Sequence, residues 1–155
     1  IAKLDLLVGY GLAFAVVATV QALVTAGVSF GLLGLETEGA IWVGVVLAIL
    51  NAIFGMSLGL FVSAFATSEF QAVQFMPALI IPQFLLIGLM APRDRMLPAL
   101  EYVSAVLPLT YAYEALSKAS LNEIDGRFWL DVGIMLGCIA LALGLGATTL
   151  RRRTD

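Results

Sequence analysis

Long runs without a charged side chain dominate the pattern of hydrophobic and polar positions along this chain. Four of them occur, between Asp5 and Glu36, Glu38 and Glu69, Glu69 and Arg93, and Asp131 and Arg151. A helix rising about 1.5 Å per residue needs about 20 apolar residues to cross a bilayer, and each run is close to that length or longer. Membrane-spanning strands would instead alternate between apolar and polar residues. The pattern therefore predicts an all-α, polytopic membrane protein with four transmembrane helices.

The predicted spans lie at about 6–35, 41–66, 69–90 and 128–150 and form a single transmembrane domain over 1–155. Ser68 and Gln71 have capping-box spacing, which predicts the start of the third helix. Pro77 and Pro82 each remove a backbone hydrogen bond from that helix, so we expect it to kink. Asp125 is the expected N-cap of the last span, and Trp129 lies where an interfacial aromatic anchor would be.

An external helical hairpin is predicted over about 93–121. Apolar residues there repeat at helical spacing in two runs of about ten residues, each too short to cross a bilayer. Two short helices folded as a re-entrant or interfacial hairpin fit this pattern, with Pro108 at the bend. Glu114 and Lys118 are spaced as an exposed ion pair on the second helix.

Composition excludes several classes of protein. Hydrophobic residues make up 61% of the chain and charged residues 12%, with a mean hydropathy of +1.04, which rules out a water-soluble globular domain. The formal charge is −3 and no basic stripe is present, so we expect no nucleic-acid partner. Cys138 is the single cysteine and can form no intrachain disulfide.

Catalytic and cofactor-binding groups are also missing from the sequence. The chain has no His, and we expect no Asp or Glu within a span, so metal-dependent, Ser-His or proton-relay chemistry has no groups to use. Neither Lys3 nor Lys118 follows a glycine, as a nucleotide-binding loop would require. We therefore predict no catalytic residue, no metal site and no cofactor bound by this chain.

Polar and small residues within the spans leave alternatives open. Gln21, Asn51, Gln74 and Gln83 are amides at membrane depth, where they either form interhelical hydrogen bonds or line a pathway for an amphipathic or apolar substrate. Small residues four apart let helices approach closely, either within the chain or across a subunit interface. These are Gly27 with Gly31, Gly55 with Gly59 and Ser63, and Gly133 with Gly137.

Basic residues give only a weak guide to orientation. Lys3 and the triplet Arg151–Arg153 flank one side, and four further basic residues flank the other. The triplet is dense and abuts a span, so we favour the cytoplasm for both ends of the chain.

The third span and the hairpin resemble the C-terminal half of type-2 ABC exporter permeases, with the bacterial daunorubicin and multidrug-resistance branch as the nearest likeness. The specific element is Pro-Leu-Thr-Tyr at 108–111 after a Met-x-Pro lead at 96–98. The full pattern is Ser68-Glu69-Phe70-Gln71-Ala72-Val73-Gln74, Pro77, Pro82-Gln83, Gly88, Pro92, Met96, Pro98, Leu107-Pro108-Leu109-Thr110-Tyr111 and Ala115-Leu116.

This resemblance implies a permease subunit of an ATP-driven exporter in the bacterial inner membrane. Its partners would be a separate ABC ATPase that carries ATP and Mg²⁺, and a second permease copy in a homo- or heterodimer. Permeases of this kind have six spans, so the chain, which starts at Ile1, would be a fragment lacking the first two. Lys3, Asp5, Ser68 and Glu69 would then lie in loops that contact the ATPase.

The resemblance also assigns moving parts and leaves a second class of function open. Pro77 and Pro82 are hinge candidates, and Pro108, Thr110 and Tyr111 belong to a candidate gate in the hairpin. The exported substrate would be a drug, a lipid or a glycoconjugate. The alternative function is a non-transporting membrane scaffold or assembly subunit.

Overall fold

The computed structural model describes residues 3–88 and 95–152, with side chains over 9–88 and 95–146. These residues form helices and no strands. The predicted end of the third span at 89–90 and the first residues of the hairpin lie outside the described residues. The elements are α1 (Lys3–Ala26), which continues as a π-helix (Gly27–Leu32), α2 (Ile41–Ser63), α3 (Glu69–Leu86), α4 (Pro98–Val106), α5 (Pro108–Ser120) and α6 (Gly126–Arg152).

Within the described ranges, three helical segments are long and apolar enough to cross a membrane. They are Gly9–Leu32, Ile41–Ser63 and Gly126–Gly146, and they correspond to the first, second and last predicted spans. The third predicted span forms α3, which has 18 residues and includes three glutamines and two prolines. These residues lower its hydropathy, and α3 is not one of the three segments. Its crossing of the membrane stays a prediction.

Both predicted N-caps are present. The Gln71 backbone N–H donates to Ser68 Oγ over 3.2 Å, and Gln71 Oε1 accepts from the Thr67 backbone N–H over 2.9 Å. The Gln71 side chain thus accepts from the residue before the N-cap, whereas in a standard capping box it would accept from the N-cap residue itself. At the start of α6, the Phe128 N–H donates to Asp125 Oδ1 over 2.8 Å. These bonds satisfy backbone donors that the helix itself leaves free.

The core lies where α2, α5 and α6 meet. Its large members are Phe54 on α2 and Met135 on α6, both almost fully buried. Between them lie Ala112, Ala115 and Ala119, which all face inward from α5. Alanine side chains allow close approach of helix backbones, so the short α5 fits between two long helices.

The 33–40 loop packs against the C-terminal end of α5. The backbone N–H groups of Glu38 and Gly39 both donate to the Ser120 carbonyl, over 2.9 and 3.2 Å. A Cβ atom at Gly39 would lie 1.8 Å from the Ala119 carbonyl oxygen, so only glycine fits. The 33–40 loop and the turn at 121–125 thus lie together, and we call this end of the structure the loop end.

Most of the paired small residues make no close contact within the described part of the chain. A Cβ atom at Gly27, Gly31 or Gly55 would meet nothing within 4 Å, and the same holds for Gly133 and Gly137. Only Gly59 of these glycines has a neighbour at that range, the Met76 methyl at 3.9 Å. The prediction of close intrachain contacts is therefore wrong for the five glycines without a neighbour. Four of them are exposed, and Gly55 is half-buried.

Candidate functional site

A groove of about 810 Å³ runs between α1, α2, α3 and the start of α5. Its walls are mostly aliphatic and aromatic, with Phe14 from α1, Phe54 from α2, Met76 from α3 and Leu109 from α5 among them. Volumes of this order are typical of sites for small organic ligands. The groove is therefore large enough to hold a lipid-like or drug-sized molecule.

Two of the four predicted pathway amides meet in this groove. Gln21 lines it from α1 and Asn51 from α2. The Gln21 side chain is exposed and the Asn51 side chain is half-buried, and neither has a hydrogen-bond partner among the described residues. Their donors and acceptors are thus available to a bound molecule, which is the property that the pathway prediction requires.

A smaller cavity of about 170 Å³ adjoins the groove at the loop end. Thr25, Ala48 and Leu116 line both, so the two spaces meet at these residues. Thr37 on the 33–40 loop and Ser120 at the end of α5 line the smaller cavity as well. Together, the groove and the cavity form a path along α1 and α2 to the loop end.

The other two amides are placed differently. Gln74 is exposed on α3 and does not line the groove. Gln83 is buried, and its Nε2 donates to the Leu79 carbonyl over 3.2 Å while its Oε1 accepts from the Leu109 backbone N–H over 3.4 Å. Gln83 therefore joins α3 to the first turn of α5, which is the interhelical bond that the alternative interpretation expected.

Three of the predicted gate and hinge residues lie at the bend between α4 and α5. Leu107 links α4 to α5, and Pro108 is the first residue of α5. Thr110 Oγ1 donates to the Ser104 carbonyl over 2.7 Å, and Tyr111 Oη donates to the Ala105 carbonyl over 2.6 Å. Both bonds cross the bend, so α4 and α5 are held at one angle.

A buried ion pair that the sequence did not predict joins α5 to α6. Lys118 Nζ lies 2.5 Å from Asp131 Oδ2, and the Asp131 side chain is only 3% exposed. The expectation that no carboxylate lies within a span is wrong: Asp131 falls within the predicted last span at 128–150, and α6 carries it inside its apolar segment. The predicted pair of Lys118 with Glu114 is also present, at 4.0 Å, and is partly buried instead of exposed.

The spacing of Asp131 was the signal that could have revealed this pair. Phe128 lies three residues before it and Met135 four residues after it, and both belong to the core. Residues at these spacings share one face of a helix. A carboxylate on a core-facing side needs a cation, and Lys118 is the basic residue of the neighbouring helix.

The remaining predicted residues lie away from the groove. Pro77 and Pro82 are exposed positions within α3, which continues through both of them. Ser68 and Glu69 are exposed at the start of the same helix. Lys3 and Asp5 were expected in a loop, but α1 begins at Lys3, so their backbone is helical.

Comparison with known proteins assigns the chain to a family. Residues 3–121 match the family described as ABC-2 type transporter, and this range includes the groove, α4, α5 and the bonds across the bend between them. The chain belongs to the ABC-2 type transporter family. It is a multi-pass membrane protein of that family, which agrees with the coarse class that the sequence predicted.

A curated relative supports the same assignment at low similarity. Nodulation protein J from Rhizobium leguminosarum bv. viciae is 27% identical over 132 residues, which cover 83% of this ABC-2 chain and 51% of the relative. The chain thus spans about half the length of the relative that it matches. No solved structure matches the chain.

Proposed function

We propose that this chain forms part of the permease subunit of an ATP-driven ABC exporter, which moves an amphipathic or apolar molecule out of the cytoplasm. Membership of the ABC-2 type transporter family supports a role in transport. The observation that carries the proposal is the groove with the unpartnered amides Gln21 and Asn51, since it offers a binding site between helices that could cross a membrane. The daunorubicin-like branch and the multidrug role belong to this proposal.

The proposed topology has four spans, with α3 as the third, and a re-entrant hairpin formed by α4 and α5. Both ends of the chain lie in the cytoplasm of a bacterial inner membrane, and the loop end faces outward. Trp42 and Trp129 are strongly exposed at the starts of α2 and α6, both at the loop end. Tryptophan is enriched at membrane interfaces, which supports an interface at this level.

In this proposal the driving force comes from a partner ATPase that holds ATP and Mg²⁺. Closure of the ATPase moves the cytoplasmic contact segments, Ser68 with Glu69 and Lys3 with Asp5, and shifts a permease dimer between inward-open and outward-open packings. The substrate moves because the two packings bind it with different affinity. The turn at 67–69 is exposed, which is consistent with a docking contact.

The hinge and the gate are assigned to separate parts of the chain. Pro77 and Pro82 each remove a hydrogen bond from α3 and make it the helix most easily bent. The hairpin acts as a unit, because Thr110 and Tyr111 brace its bend and Lys118 fixes it to α6. Opening of the gate would therefore displace α5 together with α6.

Co-purification of the full-length permease with an ATPase tests the proposal. We expect an ABC ATPase to be captured from the native host and its ATP turnover to change when the permease is reconstituted with it in nanodiscs. Glu69→Lys should weaken capture, whereas Glu123→Lys, an exposed charge reversal at the loop end, should leave it unchanged. A stable, correctly inserted protein that captures no ATPase would instead favour a scaffold or assembly subunit.

A further inference from the structure

Uncharged hydrogen-bonding groups follow one line through the groove and its adjoining cavity. Gln21 and Thr25 lie on α1, four residues apart, and Ser29 follows in the π-helix after another four. Gln21 and Thr25 line the groove, while Thr25 and Ser29 line the cavity at the loop end. Asn51 faces the same groove from α2. A molecule in this space would meet polar groups at successive depths.

The hydrogen bonds already present leave these groups able to bind a ligand. Thr25 Oγ1 donates to the Gln21 backbone carbonyl over 2.9 Å, so its oxygen can still accept. The side-chain amides of Gln21 and Asn51 have no partner among the described residues, and each offers two donors and one acceptor oxygen. The lining can therefore both donate and accept hydrogen bonds, as binding of a hydroxyl or an amide group requires.

No residue that lines either space is ionisable, among those that the structure describes. The ion pair of Lys118 with Asp131 lies on the α5–α6 contact and does not line the groove. Moving a charged head group from water into such surroundings is costly because nothing there compensates its charge. The lining therefore favours an uncharged head group over a charged one.

We propose that the groove and its adjoining cavity bind a neutral amphipathic substrate with an apolar chain and an uncharged head group rich in hydroxyl or amide groups. The head group hydrogen-bonds to Gln21 and Asn51, and the chain lies against the aromatic and aliphatic walls. This inference rests on the proposed function, since the bound molecule is a substrate only if the protein exports it. The absence of ionisable groups from the described lining favours this occupant over a cationic or anionic amphipath.

Photo-cross-linking of the full-length permease with its ATPase in nanodiscs tests the inference. Three probes share one diazirine-bearing dodecyl chain and differ in the head group, which is a glucoside, a trimethylammonium or a sulfate. We expect the glucoside to label α1 and α2 peptides of the groove at least about tenfold more than either charged probe, because only its hydroxyl groups match the amides without a desolvated charge. Equal labelling by a charged probe would overturn the inference.

Variants locate the preference at the two amides. Gln21→Leu with Asn51→Leu should reduce glucoside labelling by about tenfold, while Gln74→Leu, an exposed amide outside the groove, should leave it unchanged. Asn51→Asp should raise labelling by the trimethylammonium probe and lower labelling by the glucoside, a switch that loss of folding cannot produce. An unchanged probe preference in these variants would contradict the assignment.

The competing occupants give different results in the same samples. Cross-links between cysteines placed at Gln21 in two copies, with no probe labelling, would make the groove a subunit interface and overturn the inference. ATP turnover and ATPase capture are measured in parallel. If ATPase capture and ATP turnover fail while probe selectivity is retained, export by this protein would be overturned. If both succeed but the probes show no selectivity, only the substrate class would be overturned.

Discussion

Replacement of Asp131 by Asn removes the negative charge from the buried contact between α5 and α6 and keeps the shape of the side chain. Lys118 then keeps a charge in a site where its nearest partner, at 2.5 Å, has become neutral. Breaking a buried ion pair by removing one partner costs about 3–5 kcal/mol in soluble proteins. The Lys118 side chain is 18% exposed, and Glu114 lies 4.0 Å from its Nζ, so both solvent and a second carboxylate reduce this cost. We expect Asp131→Asn to lower the free energy of unfolding by about 2 kcal/mol.

The measurement is an unfolding titration with sodium dodecyl sulfate in mixed micelles, applied to the full-length permease and followed by tryptophan fluorescence. Lys118→Met combined with Asp131→Val removes both charges and should restore stability to within about 1 kcal/mol of the unmodified protein. Glu101→Gln is the matched control, since this carboxylate lines a further cavity that Asp131 also lines but is itself exposed, and its effect should stay within about 0.5 kcal/mol.

Two results would refute the reasoning. Asp131→Asn with the same stability as Glu101→Gln would mean that the pair contributes nothing to the α5–α6 contact. A double variant less stable than Asp131→Asn would mean that the uncompensated Lys118 charge is not the source of the loss.

Three further predictions concern the contacts that position the hairpin and α3. Gly39→Ala should cost about 2 kcal/mol or more in the same titration, because its Cβ would lie 1.8 Å from the Ala119 carbonyl oxygen, whereas Gly133→Ala, with nothing within 4 Å, should be neutral or slightly stabilising. Thr110→Val keeps the side-chain volume and removes the donor to the Ser104 carbonyl; a loss of about 1–2 kcal/mol is expected, and no loss would deny the bond a role in bracing the bend. Ser68→Ala should cost about 1 kcal/mol and speed amide hydrogen exchange in the first turn of α3, and unchanged exchange there would argue against the cap.

The helices themselves could be predicted from the sequence because their signals are local. Charge-free runs long enough for a span identified α1, α2 and α6, and the side chains of Ser68 and Asp125 identified two helix starts. Two short helices were expected from their apolar spacing, and α4 and α5 are both present, while their arrangement as a re-entrant or interfacial hairpin stays a prediction. In each case the deciding residues lie within one or two turns of the feature.

The contacts between helices were harder to predict because they depend on which faces meet. The sequence offers Glu114 as the partner of Lys118 at helical spacing, but the packing of α5 on α6 brings Asp131 closer. The four amides look alike in sequence, and only the arrangement of helices places Gln21 and Asn51 in one groove and binds Gln83 to α5. The glycine pairs have the spacing of packing motifs, but a Cβ atom at most of them would meet nothing within 4 Å.

ATP-driven uptake into inverted membrane vesicles tests the central claim most directly. The vesicles contain the full-length permease and its ATPase, and the transported probes are a fluorescent short-chain glycosylated lipid and rhodamine 6G. The proposed function predicts uptake of at least one probe that requires both ATP and the permease and stops when the phosphate-binding lysine of the ATPase is replaced. Uptake that is the same without ATP, or the same in vesicles lacking the permease, would contradict it.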